Sequence, residues 1–493
     1  MQIAGSFLIV FKVWGKYWRS RAYQVISLPL LAGFSTILIA CTNTPSVVSS
    51  DIIGDAPGIT THANNIDLEH EAISATELLA IGSQIFSASF NTLDGSGNFK
   101  QRFLSQTKDS KLISRFNRIS GPDSNACSGC HNLPTLGGGG DNVANAFVLA
   151  HKFPNVQFDG GPGDLYEDLT LSTVGNERGT ISMFGSGYIE LLAREMTHDL
   201  HEIRETALSQ AKLHQRPVTL AAQTKGVSFG KLTAWPDGLI DASKIEGVDV
   251  DLTIKPFSQK GVYTSLREFT LDSIERHHGL QPEERFGRDT DPDYDGVANE
   301  LTTADITALT LFQATLPPPS INTPKSEKAR SYAKKGEELF SKVGCAVCHK
   351  PFLELNNPIF SEPNPYNPPG TNSTYPVQPS YNIDLITNSK SNSITSTDNG
   401  TFLVRAFTDL KRHNMGSIAA NETIEQRHVE SPVWITRKLW GATAEPPYLH
   451  HGRATLIAEA ITTHQGEADQ SRINFEQLSS DDQAAIIEFI KTL

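Results

Sequence analysis

Two short stretches carry residues whose types and spacing point to chemistry: Cys127-Ser128-Gly129-Cys130-His131 and Cys345-Ala346-Val347-Cys348-His349. Two thiols two residues apart can each add to one vinyl group of the same porphyrin. The next residue then offers an imidazole to the iron. Cys-x-x-Cys-His is accordingly the attachment signal for c-type haem. Four of the five cysteines sit in these pentads, and the fifth is Cys41, so no pair is left over for a disulfide. A Cys-x-x-Cys is also half of a zinc ribbon or a dithiol redox pair. Zinc, however, does not call for His directly after both second cysteines, and ribbon pairs lie closer together. A thioredoxin-type pair needs a βαβ context, which is missing. The pattern therefore predicts two covalent haems, attached at Cys127, Cys130, Cys345 and Cys348, with His131 and His349 as iron ligands.

A second candidate site is Asp291-Pro292-Asp293-Tyr294-Asp295-Gly296. Three carboxylates at alternate positions converge on one hard cation, and the glycine permits a sharp turn, as at the start of a calcium loop. The twelfth-position Glu of an EF-hand is absent, since Thr302 stands there, and Asn299 or Glu300 would have to complete a shortened loop. A solvated acidic turn is the competing reading. Met415, one of only four methionines, is a candidate sixth ligand to a haem iron, against ordinary packing.

These side chains need helices and turns to hold them. Leu78, Leu79, Ile81, Ile85 and Phe86 recur at helical spacing from Ser74 onward. The fragment Gly82-Ser83-Gln84-Ile85-Phe86 returns as Gly336-Glu337-Glu338-Leu339-Phe340, and each copy precedes a pentad. This predicts two halves of one design, each with a helix whose glycine allows close approach beside the haem. Helices are also expected over Thr303–Leu316, stopped by Pro317-Pro318-Pro319, over Ala333–Val343, Ile457–His464 and Asp481–Leu493. Val248–Ile254 alternates as a short strand would. Asn356–Gly400, rich in Asn, Pro, Ser and Thr, reads as a surface insertion.

The fold class expected is mainly α: two cytochrome c-like haem domains with small β-hairpin insertions and long loops. The boundaries expected are 1–41 for a lipoprotein-type signal peptide and 42–73 for a flexible tether. The N-terminal haem domain would span 74–318 and the C-terminal one 325–493, with a surface insertion over 353–400. The signal reading rests on Lys12, Lys16, Arg19 and Arg21, followed by an apolar run to Leu38-Ile39-Ala40-Cys41, which resembles the bacterial lipobox. Lipidation of Cys41 would place the protein on the periplasmic side of a bacterial membrane. An uncleaved anchor is the alternative. With 42 Lys and Arg against 55 Asp and Glu, the net charge of −13 argues against nucleic acid as a partner.

Taken in order, the pentads resemble the bacterial di-haem oxidoreductase family, related to di-haem cytochrome c peroxidases and MauG-type enzymes. The resemblance also rests on Phe116-Asn117, His277-His278-Gly279-Leu280-Gln281, the acidic loop through Asn299-Glu300-Leu301-Thr302, His413-Asn414-Met415-Gly416, Leu439-Trp440-Gly441 and Tyr448-Leu449-His450-His451-Gly452-Arg453. Two positions depart from it: Leu280, where relatives often carry Met, and His451, where they often carry Asp. The resemblance implies a peroxidase-like enzyme in which the first haem (His131) meets peroxide and the second (His349) relays electrons. The electron donor would be a small cytochrome or cupredoxin. It also places a sixth ligand of the second haem at or near His464. His151 is a candidate removable ligand for the first haem. Glu190, Glu195, His277 and His278 are candidates for the acid/base group that peroxide cleavage requires; Trp440 is read as core packing first and as a stepping stone between haems second. A non-catalytic periplasmic electron carrier and a MauG-type oxidase that modifies a protein are the alternatives.

Overall fold

The computed structural model describes residues 53–97, 122–140, 143–146, 176–371, 381–387, 390–420, 422 and 425–493. Cys41, the signal segment, Phe116, Asn117 and His151 lie outside them. Asp55–Leu493 form one compact unit. Among the described residues no helix is long and apolar enough to cross a membrane.

Six helices position the sites: α1 (Ala75–Ser87), α2 (Ser186–His214), α3 (Leu266–Ser273), α4 (Thr303–Ala314), α5 (Glu327–Val343) and α6 (Ser480–Ile490). Ser74 and Glu77 close a reciprocal capping box on α1, and Thr302 and Asp305 do the same on α4. On α1 the buried stripe is Leu78, Gly82, Ile85 and Phe86. A methyl on Gly82 would sit 2.1 Å from the Ala308 carbonyl oxygen of α4, so only glycine permits this crossing. α5 and α6 repeat the device: a methyl on Gly336 would sit 1.9 Å from the Ala485 carbonyl oxygen. Behind each glycine two phenylalanines pack, Phe86 with Phe312 at 5.3 Å and Phe340 with Phe489 at 5.4 Å between ring centres. α5 ends at Gly344, left-handed at φ 103°, and the second pentad begins at the next residue.

The expectation of a mainly α fold is wrong. Of the described residues 37% are helical and 15% are strand, in several small antiparallel sheets. They pair β1 (Val143–Ala146) with β2 (Asn176–Gly179), and β3 (Val218–Thr224) with β4 (Val227–Ala234) and β5 (Ile240–Asp241). A three-stranded sheet has the order β6 (Leu353–Leu355), β10 (Phe402–Val404), β9 (Ile394–Ser396). Two ribbons complete the set: β7 (Ile359–Glu362) with β8 (Tyr381–Asp384), and β11 (Arg412–Asn414) with β12 (Val433–Ile435). Most of these strands are two to four residues long, such as Leu353–Leu355 with Leu353 and Leu355 inward, so a period of two barely rises above the surrounding polar sequence.

Val248–Ile254 is not a strand. The Asp249 carbonyl accepts from Leu252 N at 2.9 Å and the Asp251 carboxylate from Thr253 N at 2.9 Å, turning the chain locally instead. The stretch read as a surface insertion sends Phe360, Ile383 and Leu385 into the main core. Glu362 goes with them and pairs with the fully buried Arg267 of α3 at 3.0 Å. A second core cluster joins Phe340, Val343, Phe407, Phe475, Ile486 and Phe489 around the α5–α6 pair.

Candidate functional site

Cys127–Cys130 make one helical turn, and His131 follows it. The four cysteines of the two pentads form no disulfide. Gly137–Gly140 fold back over this turn: Gly137 N donates to the His131 carbonyl at 3.0 Å, and a methyl on Gly140 would sit 2.1 Å from the Cys130 carbonyl oxygen. This run closes tightly on the turn. His131 Nδ1 donates to the Gly138 carbonyl at 3.3 Å. That fixes the tautomer and leaves Nε2 with its lone pair free for a metal. Burial pushes the imidazole down to about 4, so it stays neutral. A cavity of about 210 Å³ adjoins the pentad, also lined by His277 and His278. His278 ends a π-helical turn, Ile274–His278. Its Nδ1 donates to the Ser124 carbonyl at 2.7 Å, and its Nε2 lies 3.6 Å from Cys127 Sγ. His277 pairs with Asp123 at 2.9 Å.

The second pentad opens on a 3-10 turn, Cys345–Val347. His349 Nδ1 donates to the Phe407 carbonyl at 3.1 Å. Phe407 itself sits at φ 54°, a costly conformation for an aromatic residue, and its carbonyl is aimed at the imidazole. Burial again holds the imidazole down to about 4. The adjoining cavity is about 600 Å³, and His413, Met415, His450, His451 and His464 reach its wall. The His464 ring centre lies 6.5 Å from that of His349, and its own Nδ1 donates to the Ala460 carbonyl at 2.7 Å. His413 is committed elsewhere: Nε2 to Asp409 at 2.9 Å and Nδ1 to Glu467 at 2.7 Å. Burial alone would lower its pKa, but Asp409, Cys348 and Glu467 carry it up to about 11, which favours the charged imidazole.

Glu190 and Glu195 line neither cavity. Glu190 binds Arg194, Asn364 and Leu266 N, and Glu195 binds Lys225 and the backbone of Asn356. Leu280 is fully buried, and His451 accepts from Arg453 N at 3.1 Å. Trp440 lines neither cavity and is packed against Gly185. The tryptophan on a cavity wall is Trp434, which sequence reasoning missed. His450 stacks on it at 3.7 Å and 17°, and the Lys260 ammonium lies 3.7 Å from its ring centre. Also missed were Arg437 and Lys438, which border both cavities. A charged doublet between Val433-Trp434-Ile435 and Leu439-Trp440 was the available signal.

The carboxylates of Asp291, Asp293 and Asp295 offer oxygens within 4.8 Å of one another. Asn299 turns back to Asp289, accepting from its N at 2.8 Å. Glu300 is buried, and burial together with the three aspartates drives its pKa up to about 10. Burial and Asp295 likewise raise Asp293 to about 7.

Each pentad thus meets a cavity with an imidazole nitrogen free for iron and two thiols, not joined in a disulfide, for a porphyrin's vinyl groups. The residues fit a haem at both places. No curated protein matches the chain. Among solved structures, a chain of Kuenenia stuttgartiensis hydrazine synthase pressurised with xenon overlaps 91% of this chain and 98% of its own length, at 12% identity and a TM-score of 0.38, too loose an overlap to inform the chemistry. Residues 371–493, which carry Met415, Trp434 and His464, match the family model described as "Di-haem oxidoreductase, putative peroxidase".

Proposed function

We propose that the protein is a di-haem c-type oxidoreductase with peroxidase-like activity, its haems attached through Cys127 and Cys130 and through Cys345 and Cys348. The observation that carries this reading is the paired arrangement of His131 and His349, each anchored at Nδ1 by a carbonyl beside its own cavity. Such haems supply one-electron transfer and, with an open iron position, peroxide reduction. The halves differ in a way that divides these tasks. His464 faces His349 with its Nδ1 engaged by Ala460, so His349 and His464, rather than Met415, would hold the second iron, and that haem would serve as the electron relay. At the first cavity His278 points to the Cys127 thiol edge, which leaves His277 and His278 placed to move protons for a bound peroxide.

The Asp291, Asp293 and Asp295 carboxylates with Glu300 form the proposed calcium site, because four clustered acids, Asp293 and Glu300 buried among them, need a cation or protons. The remaining parts of the reading are a periplasmic location, a lipid anchor at Cys41 and an electron-donor protein as partner. One observation favours a second reading, an electron carrier with both irons six-coordinate: His278 has its Nδ1 anchored in the same manner as His464.

EPR and optical spectra of the resting and half-reduced protein decide between them. The peroxidase reading expects one high-spin haem that reacts with hydrogen peroxide. Two low-spin haems in both states, inert to peroxide, would leave the carrier.

A further inference from the structure

The two cavities share a wall. Gly179, Thr180, Gln259 and the run Ile435–Lys438 border both. Two residues of that run are cations. Arg437 donates from Nη1 to Gln259 Oε1 at 3.0 Å, has Glu445 3.7 Å from Nη2, and keeps a buried Nε without a hydrogen-bond partner. Lys438 donates to the carbonyls of Ser182 at 2.7 Å and Phe184 at 3.0 Å, and its ammonium carries three donors.

The charge of these walls runs against that of the chain. The second cavity is lined by Lys342, Arg437, Lys438 and Arg472 against Glu445 and Glu467, before the imidazolium of His413 is counted. The first is lined by Arg178, Arg276, Arg437 and Lys438 against Asp123 and Asp272. Arg178 is paired with Glu422, and Arg472 with Asp469 and Glu476, which leaves Arg437 and Lys438 as the cations common to both walls in a chain whose net charge is −13. Asp272 is further occupied by Tyr263 and Arg285, and Asp123 by His277. An anion placed against this shared wall would meet both cations and the buried Arg437 Nε that has no hydrogen-bond partner.

A haem bound through its vinyl groups has its two propionates on the far edge of the ring, away from the thioethers. The second pentad lies at the surface, with Val347 70% exposed. A haem held there by Cys345 and Cys348 would turn its carboxylates away from that surface, toward the wall.

We propose that Arg437 and Lys438 bind the propionates of both haems, one pair of cations serving two cofactors. The proposal rests on the di-haem reading. Arg437 brings planar, paired donors and Lys438 a point charge, which is the division that carboxylate recognition uses. A cation beside a haem stabilises the reduced, less positive form, so cations held in common tie the two reduction potentials together.

The test is a spectroscopic redox titration of the complete holoprotein carrying Arg437→Gln or Lys438→Gln, with Arg437→Lys as the conservative control. Each Gln variant is expected to move both midpoint potentials downward and to shift the propionate bending bands of both haems in resonance Raman spectra. Arg437→Lys is expected to restore most of the potential. A shift confined to one haem, or unchanged potentials and bands in folded variants, overturns the proposal. The pyridine haemochrome assay separates the two failures. Two haems per chain with unmoved potentials defeats the shared clamp, and no covalent haem in the parent protein defeats the reading beneath it. If Arg437→Gln does not fold, Lys438→Gln alone decides the matter by the same two readouts.

Discussion

Around the first pentad Phe86 lies 6.2 Å from His131 with the rings inclined at 50°, and around the second Phe340 lies 6.4 Å from His349 at 55°. The glycine crossings behind these phenylalanines also agree, Gly82 on Ala308 and Gly336 on Ala485. Within that common frame the facing groups diverge. The second half sets His464 across from His349, whereas the first brings His278 in from a π-helical turn toward the cysteine edge. Helix packing on the rear of each pentad is thus repeated, and the side open to a ligand is not. A packing frame fixed by backbone contact tolerates little change, while the loops above it can be exchanged.

The largest effect that would test this comparison is on haem content. Cys127→Ser with Cys130→Ser, and separately Cys345→Ser with Cys348→Ser, are each expected to halve the covalent haem in the pyridine haemochrome assay. Loss of both haems from either pair would mean that the halves are not independent attachment sites. Next, His464→Gly is expected to turn the second haem high-spin in EPR, and Met415→Leu to leave it unchanged. The reverse result would move the ligand to Met415. Smaller again, Gly82→Ala and Gly336→Ala each force a methyl into a facing carbonyl. Overpacking of this kind costs about 1–3 kcal/mol, read by denaturant unfolding. Tolerance of one and not the other would break the structural repeat.

The smallest concerns the seam where Glu362 meets Arg267. Burial above all lifts the Glu362 carboxyl from 4.5 to about 7, aided by Glu190 and opposed by Arg267 and Arg194. The folded state then holds more protons than the unfolded one between those values. Its contribution to stability is full below pH 4.5 and falls as pH rises through 7. Glu362→Gln is expected to flatten that slope in thermal melts between pH 4.5 and 7, and an unchanged slope would show that Glu362 titrates normally.

Local signals made some of this arrangement legible. The pentads, the Gly82 and Gly336 repeat and the helices over Thr303–Ala314 and Ser480–Ile490 are periodic or carry fixed spacings, and the structure has helices where they stand. The hairpins were under-read because strands such as Leu353–Leu355 are too short for alternation to declare itself. Core packing, the competing reading for Trp440, is what the structure has, and Trp434 went unnoticed because what faces a cavity depends on β11 and β12 pairing across it. Glu190 and Glu195 were plausible acids until their partners Arg194 and Lys225 were in view. Long-range pairing decides such cases, and spacing along the chain does not encode it.

The run Ile435–Lys438 has a consequence for how this molecule can be divided. One strand of polypeptide closes two chambers, and Lys438 fastens it to the entrance of α2 through Ser182 and Phe184. A cut near Pro317-Pro318-Pro319, between the two copies of the repeated helix pair, would leave the amino-terminal fragment with a missing partition. Nor would the carboxy-terminal fragment keep its chamber whole, since Gly179, Thr180 and Gln259 of the other piece also border it.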